Sequence, residues 1–251
     1  MLFVLRMLLM GLHFAVAGVL GVLLGLCRPF NPDNSRLCAR LYAWPAMFIL
    51  RLRVKTDVDS LVNKTHSCVV IANHQSNYDL FVLGNVVPRR TVCIGKKSLK
   101  WVPLFGQLFW LAGNVLIDRG NAHKARESML KTTHTLRHED TSIWVFPEGT
   151  RNLGKELLPF KKGAFQMAIA AGVPIVPVCV SNYINHMRLN RWDSGEILIR
   201  SLPPIPTAGL TLDDMPRLME QCREQMRACI DAMDRQLQSR PEASLLPRRA
   251  G

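Results

Sequence analysis

The segment Asn73–Asp79, NHQSNYD, sets an imidazole at His74 and a carboxylate at Asp79 within a polar, otherwise uncharged run that follows the apolar CVVIA. If the chain turns into a helix here, the carboxylate one turn on accepts from the imidazole Nδ1–H and fixes its tautomer. Nε2 is then free as a general base. Such a base takes the proton of a bound hydroxyl, a contribution of typically ~10²–10⁴ in rate, and the hydroxyl becomes the nucleophile. The alternative is structural: Asp79 caps the following helix and His74 is an ordinary loop histidine. The neighbouring loops favour the chemical reading.

Three further polar turns each follow an apolar run. GKKSL follows TVCI and carries Lys96 and Lys97; DR follows NVLI and carries Arg119; PEGTRN follows SIWVF and carries Glu148, Gly149, Thr150 and Arg151. The planar fork of arginine matches a phosphate and the compact charge of lysine attracts one. Arg151 with Lys96, Lys97 and Arg119 therefore reads as an anion cradle. Lys100, Lys124 and Lys155 read as solvated surface charges, the usual fate of lysine. The other histidines singled out, His13, His123, His134, His138 and His186, lack a comparable setting.

These turns need a scaffold that brings them together. From residue 66 onward the chain alternates short β-rich runs with helical patterns: SCVVIA, DLFVLGNV, TVCIG, NVLI, AHKARESMLKTTHTLRH, SIWVF, KGAFQMAIAAG, PIVPVCVS and EILIRSL. That order predicts an α/β fold, a mostly parallel sheet flanked by helices on both faces. Functional loops of such sheets gather at the carboxyl ends of the strands, so the four polar turns should converge on one crevice. Leu212 to Leu237 reads as a closing amphipathic helix and 241–251 as a disordered tail.

The N-terminal region has a different character. Met7 to Cys27 carries no formal charge over 21 residues, which at ~1.5 Å per residue reaches about 30 Å, enough for a bilayer core. The run is too long for a signal peptide and no A-x-A site precedes Arg28. It is expected to be a retained membrane helix. Arg36 to Val54 repeats apolar residues at helical spacing around Trp44, with arginines at both ends, as an interfacial helix would, and Pro45 should kink it. The expected division is 1–56, membrane and interfacial helices; 57–240, the α/β domain; and 241–251, the tail.

With 32 Lys and Arg against 19 Asp and Glu, the formal charge of +13 calls for an anionic partner. Within residues 1–56 the basic residues Arg6, Arg28, Arg36, Arg40, Arg51, Arg53 and Lys55 face Asp33 alone, which favours anionic lipid over nucleic acid. The seven cysteines show no C-x-x-C pair and sit mostly in apolar runs, as reduced, buried thiols do. A serine hydrolase would need a G-x-S-x-G elbow, which is absent, and a metal hydrolase more ligands near His74 than Asp79 supplies.

At these residues the sequence resembles the bacterial 1-acyl-sn-glycerol-3-phosphate acyltransferases, the lysophosphatidate acyltransferases of the glycerolipid acyltransferase superfamily. NHQSNYD matches the family's H-x4-D block, GKKSLKWVPLFGQLFWLAGNVLIDR the second, FPEGTRN the third and VPIVPV, Val173 to Val178, the fourth, over roughly residues 60 to 205. The resemblance implies His74 as catalytic base and Asp79 as its orienting partner. It implies Lys97, or its neighbour Lys96, and Arg151 on the acceptor phosphate, with Glu148 near the glycerol. The turn Glu148–Gly149–Thr150–Arg151 and Arg119 complete the substrate-binding set. VPIVPV reads equally as a buried strand with two prolines.

The implied reaction transfers an acyl group from acyl-coenzyme A or acyl-acyl carrier protein to the sn-2 hydroxyl of lysophosphatidate, without an acyl-enzyme, metal or cofactor. A sister acyltransferase acting on glycerol 3-phosphate or another lysophospholipid is the alternative. Membrane lipid, lysophosphatidate and the acyl donor, an acyl carrier protein among the candidates, are the expected partners. The expected location is the bacterial inner membrane with the site on the cytoplasmic side.

Overall fold

The computed structural model describes all residues except 63–65, 119, 121–128, 130–131, 138 and 240–251, and of Val62 the backbone alone. Two helices come first, α1 (Leu2–Cys27) and α2 (Asp33–Leu50), followed by β1 (Leu52–Asp57) and the short α3 (Asp59–Val62). The α/β pattern then runs β2 (Val69–Ala72), α4 (Asp79–Val82), β3 (Thr91–Lys96), α5 (Phe105–Leu111), β4 (Val115–Ile117), a helical stretch at 132–137 (α6) and β5 (Ser142–Val145). It closes with α7 (Gly163–Ala171), β6 (Ile175–Val180), β7 (Gly195–Ser201) and α8 (Met215–Gln238).

The strands form one sheet in the order β1-β7-β6-β2-β5-β3-β4. Five of them, β6 to β4, are parallel; β7 pairs antiparallel to β6, and β1 pairs parallel to β7. The expected α/β fold with a mostly parallel sheet is therefore the observed one. Alternation along each strand splits the core into two layers. Val70, Ala72, Val176, Val178 and Val180 pack toward α1, α2 and α4; Val69, Ile71, Ile175 and Cys179 pack toward α6, α7 and α8. All six residues of β6 are buried, so Ile175–Val178 of VPIVPV lie in a central strand covered on both faces, and Val173 and Pro174 lead into it half-buried.

Two features of the N-terminal region differ from expectation. The helical spacing read through Val54 stops at Leu50, where Arg51 turns into the left-handed region (φ 53°, ψ 42°). Residues 52–57 then form β1, paired residue by residue with β7 from Leu52–Gly195 to Asp57–Arg200. The boundary expected after residue 56 falls inside a strand of the main sheet. Pro45 does lie within α2.

The second feature is the seating of α1, which by length and composition could cross a membrane. It lies along the α/β body. Gly18, Gly21 and Gly25 face Leu104, Leu108 and Leu111, where an added Cβ at Gly25 would come 2.6 Å from Leu111 Cβ. At the other end the Arg6 guanidinium is 2% exposed and donates to the carbonyls of Leu189 (2.8 Å), Arg191 (2.7 Å) and Trp192 (2.9 Å) and to Ser194 Oγ (2.8 Å). Those acceptors satisfy a charge that burial would otherwise penalise by several kcal/mol. The opposite side of α1 displays Leu5, Leu8, Leu12, Val16, Leu20 and Leu23.

Candidate active site

Because β6, β2 and β5 are adjacent and parallel, their carboxyl-terminal loops lie side by side at one edge of the sheet. The β2 loop carries His74, and both neighbours hold it. On the β6 side Asn73 exchanges two hydrogen bonds with Val180, its Nδ2 donating to the carbonyl (3.0 Å) and its Oδ1 accepting the amide (2.8 Å). Gln75 Nε2 donates to the Ser181 carbonyl (2.8 Å) and Gln75 Oε1 accepts the Tyr183 amide (3.2 Å). On the β5 side the Asn152 and Leu153 amides donate to the carbonyls of His74 (2.8 Å) and Gln75 (3.2 Å). The His74 ring leans the same way and stacks on Phe146, 4.1 Å between centroids at 18°.

His74 Nδ1 and Asp79 Oδ2 are 2.6 Å apart, and the Asp79 side chain is 2% exposed against 22% for His74. The carboxylate does not cap α4, which begins at Asp79 itself. It turns back on its own loop instead. Oδ2 also accepts the backbone amides of Gln75 (2.6 Å) and Ser76 (3.0 Å), and Oδ1 accepts the Tyr183 hydroxyl (2.6 Å). Four donors converge on one buried carboxylate, a set that suits the ionised form. With Asp79 ionised, Nδ1 is the protonated ring nitrogen and Nε2 is left to accept. Burial, and next the Asp79 charge, push the Tyr183 phenol well above its usual range, so it serves as a donor.

Glu148 occupies a place that the motif reading did not give it. Its Oε1 accepts the His74 amide (2.7 Å) and its Oε2 the Leu158 amide (2.9 Å) and Asn152 Nδ2 (3.2 Å). At 2% exposure the carboxylate is fully engaged by protein donors. This geometry makes Glu148 a brace between the β2 and β5 loops. Burial raises its pKa, and the three hydrogen bonds oppose that rise. Gly149, at φ +71°, makes the turn that brings Glu148 under the loop, and a Cβ there would meet Lys161 Cγ at 3.2 Å.

The basic residues are disposed along the same edge. Arg151 and Thr150 are exposed on the β5 loop, Arg151 directly before the Asn152 that bonds His74. Lys96 ends β3 and is exposed; Lys97 follows and pairs through Nζ with Asp118 Oδ2 (3.0 Å) after β4. Strands β2 and β3 flank β5, and strands repeat every ~4.8 Å, so the lysine turn sits about 10 Å along the sheet from the histidine turn. The structure thus brings His74, Asp79, Glu148 and the Arg151 turn into one hydrogen-bonded unit, with Lys96 and Lys97 on the next loop. Arg119 lies outside the described residues. Tyr183 and Asn73 were not singled out from sequence; Tyr183 is 104 positions from its partner Asp79, and no local pattern marks it.

Comparison with known proteins adds to this geometry. A family model described as Acyltransferase matches residues 53–181. The 1-acyl-sn-glycerol-3-phosphate acyltransferase of Escherichia coli (strain K12) is 41% identical over 246 residues, covering 97% of this chain and 99% of the relative. That of Haemophilus influenzae is 39% identical over 94% of this chain and 98% of its own length. The human alpha form is 39% identical over 83% of this chain and 74% of its own length. In fold, the crystal structure of the 1-acyl-sn-glycerophosphate acyltransferase of Thermotoga maritima superposes with a TM-score of 0.68 at 21% identity, over 95% of this chain and 99% of that one.

Proposed function

The chain belongs to the acyltransferase family, and we propose that it acylates the sn-2 hydroxyl of 1-acyl-sn-glycerol 3-phosphate from acyl-coenzyme A or acyl-acyl carrier protein. The observation that carries the reading is the His74 Nδ1–Asp79 Oδ2 bond of 2.6 Å to a buried carboxylate, which leaves Nε2 as the accepting nitrogen. Nε2 takes the hydroxyl proton as the alkoxide oxygen attacks the thioester carbonyl. The tetrahedral intermediate collapses with cleavage of the C–S bond, and the imidazolium returns the proton to the departing thiolate. The bound alcohol is the nucleophile, so the chain contributes a base and positioning and forms no acyl-enzyme.

Arg151 recognises the acceptor phosphate. A guanidinium–phosphate pair carries charge-assisted hydrogen bonds of roughly 1.5–3 kcal/mol, so Arg151→Ala is expected to lower acceptor kcat/KM by about ten- to a hundredfold or more. Arg151→Lys restores the charge but not the paired donors and should fall between the two. Steady-state kinetics with lysophosphatidate varied at fixed donor, and the reverse, check this. A raised donor KM with an unchanged acceptor KM would place the arginine on the donor side.

The chain acts at a membrane, on our reading the cytoplasmic face of the bacterial inner membrane. A helix held against the α/β body at both Arg6 and Gly25 cannot cross a bilayer without drawing that body in with it. It therefore lies along the membrane surface, with the row from Leu5 to Leu23 immersed. Apolar immersion is not screened by salt, whereas basic attraction is. Washing membranes with high salt should leave the protein bound, and detergent should release it; recovery in the salt wash would overturn the immersion.

The test of the reaction is transfer of a radiolabelled acyl group by the purified, detergent-solubilised protein to lysophosphatidate, glycerol 3-phosphate and other lysophospholipids, without added metal. Phosphatidic acid as the dominant product supports the reading. Preference for another acceptor would make the chain a sister acyltransferase.

A further inference from the structure

We infer that Tyr183 is a positioning residue of the reaction, acting through Asp79 on His74; the inference rests on the acyl-transfer reading above. No motif of the chain includes it. It follows β6, is 2% exposed, and belongs to the core layer beneath α1 and α2. Its ring is buried as a core aromatic would be, yet its hydroxyl reaches the one carboxylate that holds the histidine, 2.6 Å from Asp79 Oδ1.

Proton accounting fixes the direction of the chain of bonds. A phenol has one hydrogen, and facing a carboxylate it gives that hydrogen to Asp79. The Tyr183 oxygen then accepts from its other neighbour, the Ser76 hydroxyl at 2.9 Å. Ser76 Oγ in turn accepts the Tyr78 amide at 3.0 Å. The series Tyr78 N–H, Ser76 O–H, Tyr183 O–H, Asp79 is complete, with each hydroxyl both accepting and donating, and such series strengthen one another in a low-dielectric interior.

The two oxygens of Asp79 are held differently. Oδ2 is bonded by the β2 loop itself, through Gln75, Ser76 and His74. Oδ1 is bonded by Tyr183, from a loop after a different strand. Without that second anchor the carboxylate can rotate about its Cβ–Cγ bond, and Oδ2 leaves the line of Nδ1. The Tyr183 hydroxyl thus sets the plane of the carboxylate, and through it the direction in which Nε2 points. Gln75 fixes the Tyr183 backbone at 3.2 Å, so the anchor is itself anchored to the loop it serves.

The test is a double-mutant cycle with Tyr183→Phe and Asp79→Asn in the full-length protein, read by acyl transfer to lysophosphatidate, with thermal unfolding in detergent recorded for each form. A phenol–carboxylate bond is charge-assisted, so Tyr183→Phe is expected to lower kcat by about ten- to a hundredfold, with both KM values within about twofold. In the Asp79→Asn background the same change should cost less than about threefold, because the carboxylate it orients toward His74 is gone. Equal losses in both backgrounds, or no loss in either, would overturn the inference.

Should Tyr183→Phe fail to fold, Ser76→Ala takes its place in the cycle. It removes the donor to the Tyr183 oxygen and should give a smaller loss, again confined to the Asp79 background; an unchanged kcat would overturn the inference. An inactive wild type would instead strike at the acyl-transfer reading, so the two failures are distinguishable.

Discussion

Replacing His74 by alanine is expected to lower acyl transfer by at least the ~10²–10⁴ that a general base contributes, with the fold retained. The side chain is 22% exposed and stacks on one face of Phe146, so its removal opens no core cavity. The loop stays seated through bonds that do not involve the ring: the His74 amide to Glu148, its carbonyl to Asn152, and the pairs from Asn73 and Gln75 to the β6 loop. Transfer of labelled acyl groups, with unfolding followed in parallel, measures both. Added imidazole should restore part of the rate by occupying the vacated space. Activity within about tenfold of the unmodified protein would remove His74 from the mechanism.

The second large effect is that of Asp79→Asn, for which a fall on the order of 10³–10⁴ in kcat is expected, the scale at which a carboxylate supports a catalytic histidine. An amide has one accepting oxygen and a donating nitrogen. With its oxygen toward His74 and the two loop amides, its nitrogen faces the Tyr183 hydroxyl, which must reverse its bond. With the nitrogen toward the loop, donors meet donors at Gln75 and Ser76. Either arrangement gives up the negative charge that stabilises the imidazolium. The second leaves buried amides unsatisfied, at roughly 1–3 kcal/mol each, so some loss of thermal stability should accompany the loss of rate. Comparable kcat values for the two proteins would show that the pair is structural only.

The sequence offered two readings of Asp79, helix cap or partner of the histidine. The structure gives neither in pure form, since one oxygen binds the imidazole and two backbone amides of the preceding loop, while α4 goes uncapped by it. Spacing could suggest the His–Asp pair because both residues lie within one turn. The parallel sheet was legible for a similar reason: each strand from β2 to β7 is marked by its own apolar run. β1 was not, because RLRV continues the helical spacing of α2 and the chain leaves the helix at an arginine with positive φ, where glycine is the usual signal. Glu148 was visible as a motif residue, but its task depends on three donors from the β2 and β5 loops and could be seen only in three dimensions. Tyr183 carried no signal and Arg6 read only as one more basic residue suited to anionic lipid, since the partners of both lie over a hundred positions away.

The seating of Arg6 bears on how the chain is made. Its acceptors, from Leu189 to Ser194, come 183 to 188 positions later. A ribosome adding ~5–20 residues per second therefore needs roughly ten to forty seconds after producing Arg6 before the cage for its guanidinium exists. Through that interval the face of α1 that will seat on the protein is bare as well as its apolar row, and α5, the seat of its glycines, is still unmade for the first part of the wait. The lipid bilayer is the solvent in which such a helix can wait without aggregating. If α1 enters the lipid as proposed, it does so before its seat on the protein exists, and its docking against the domain waits until the chain has reached Ser194.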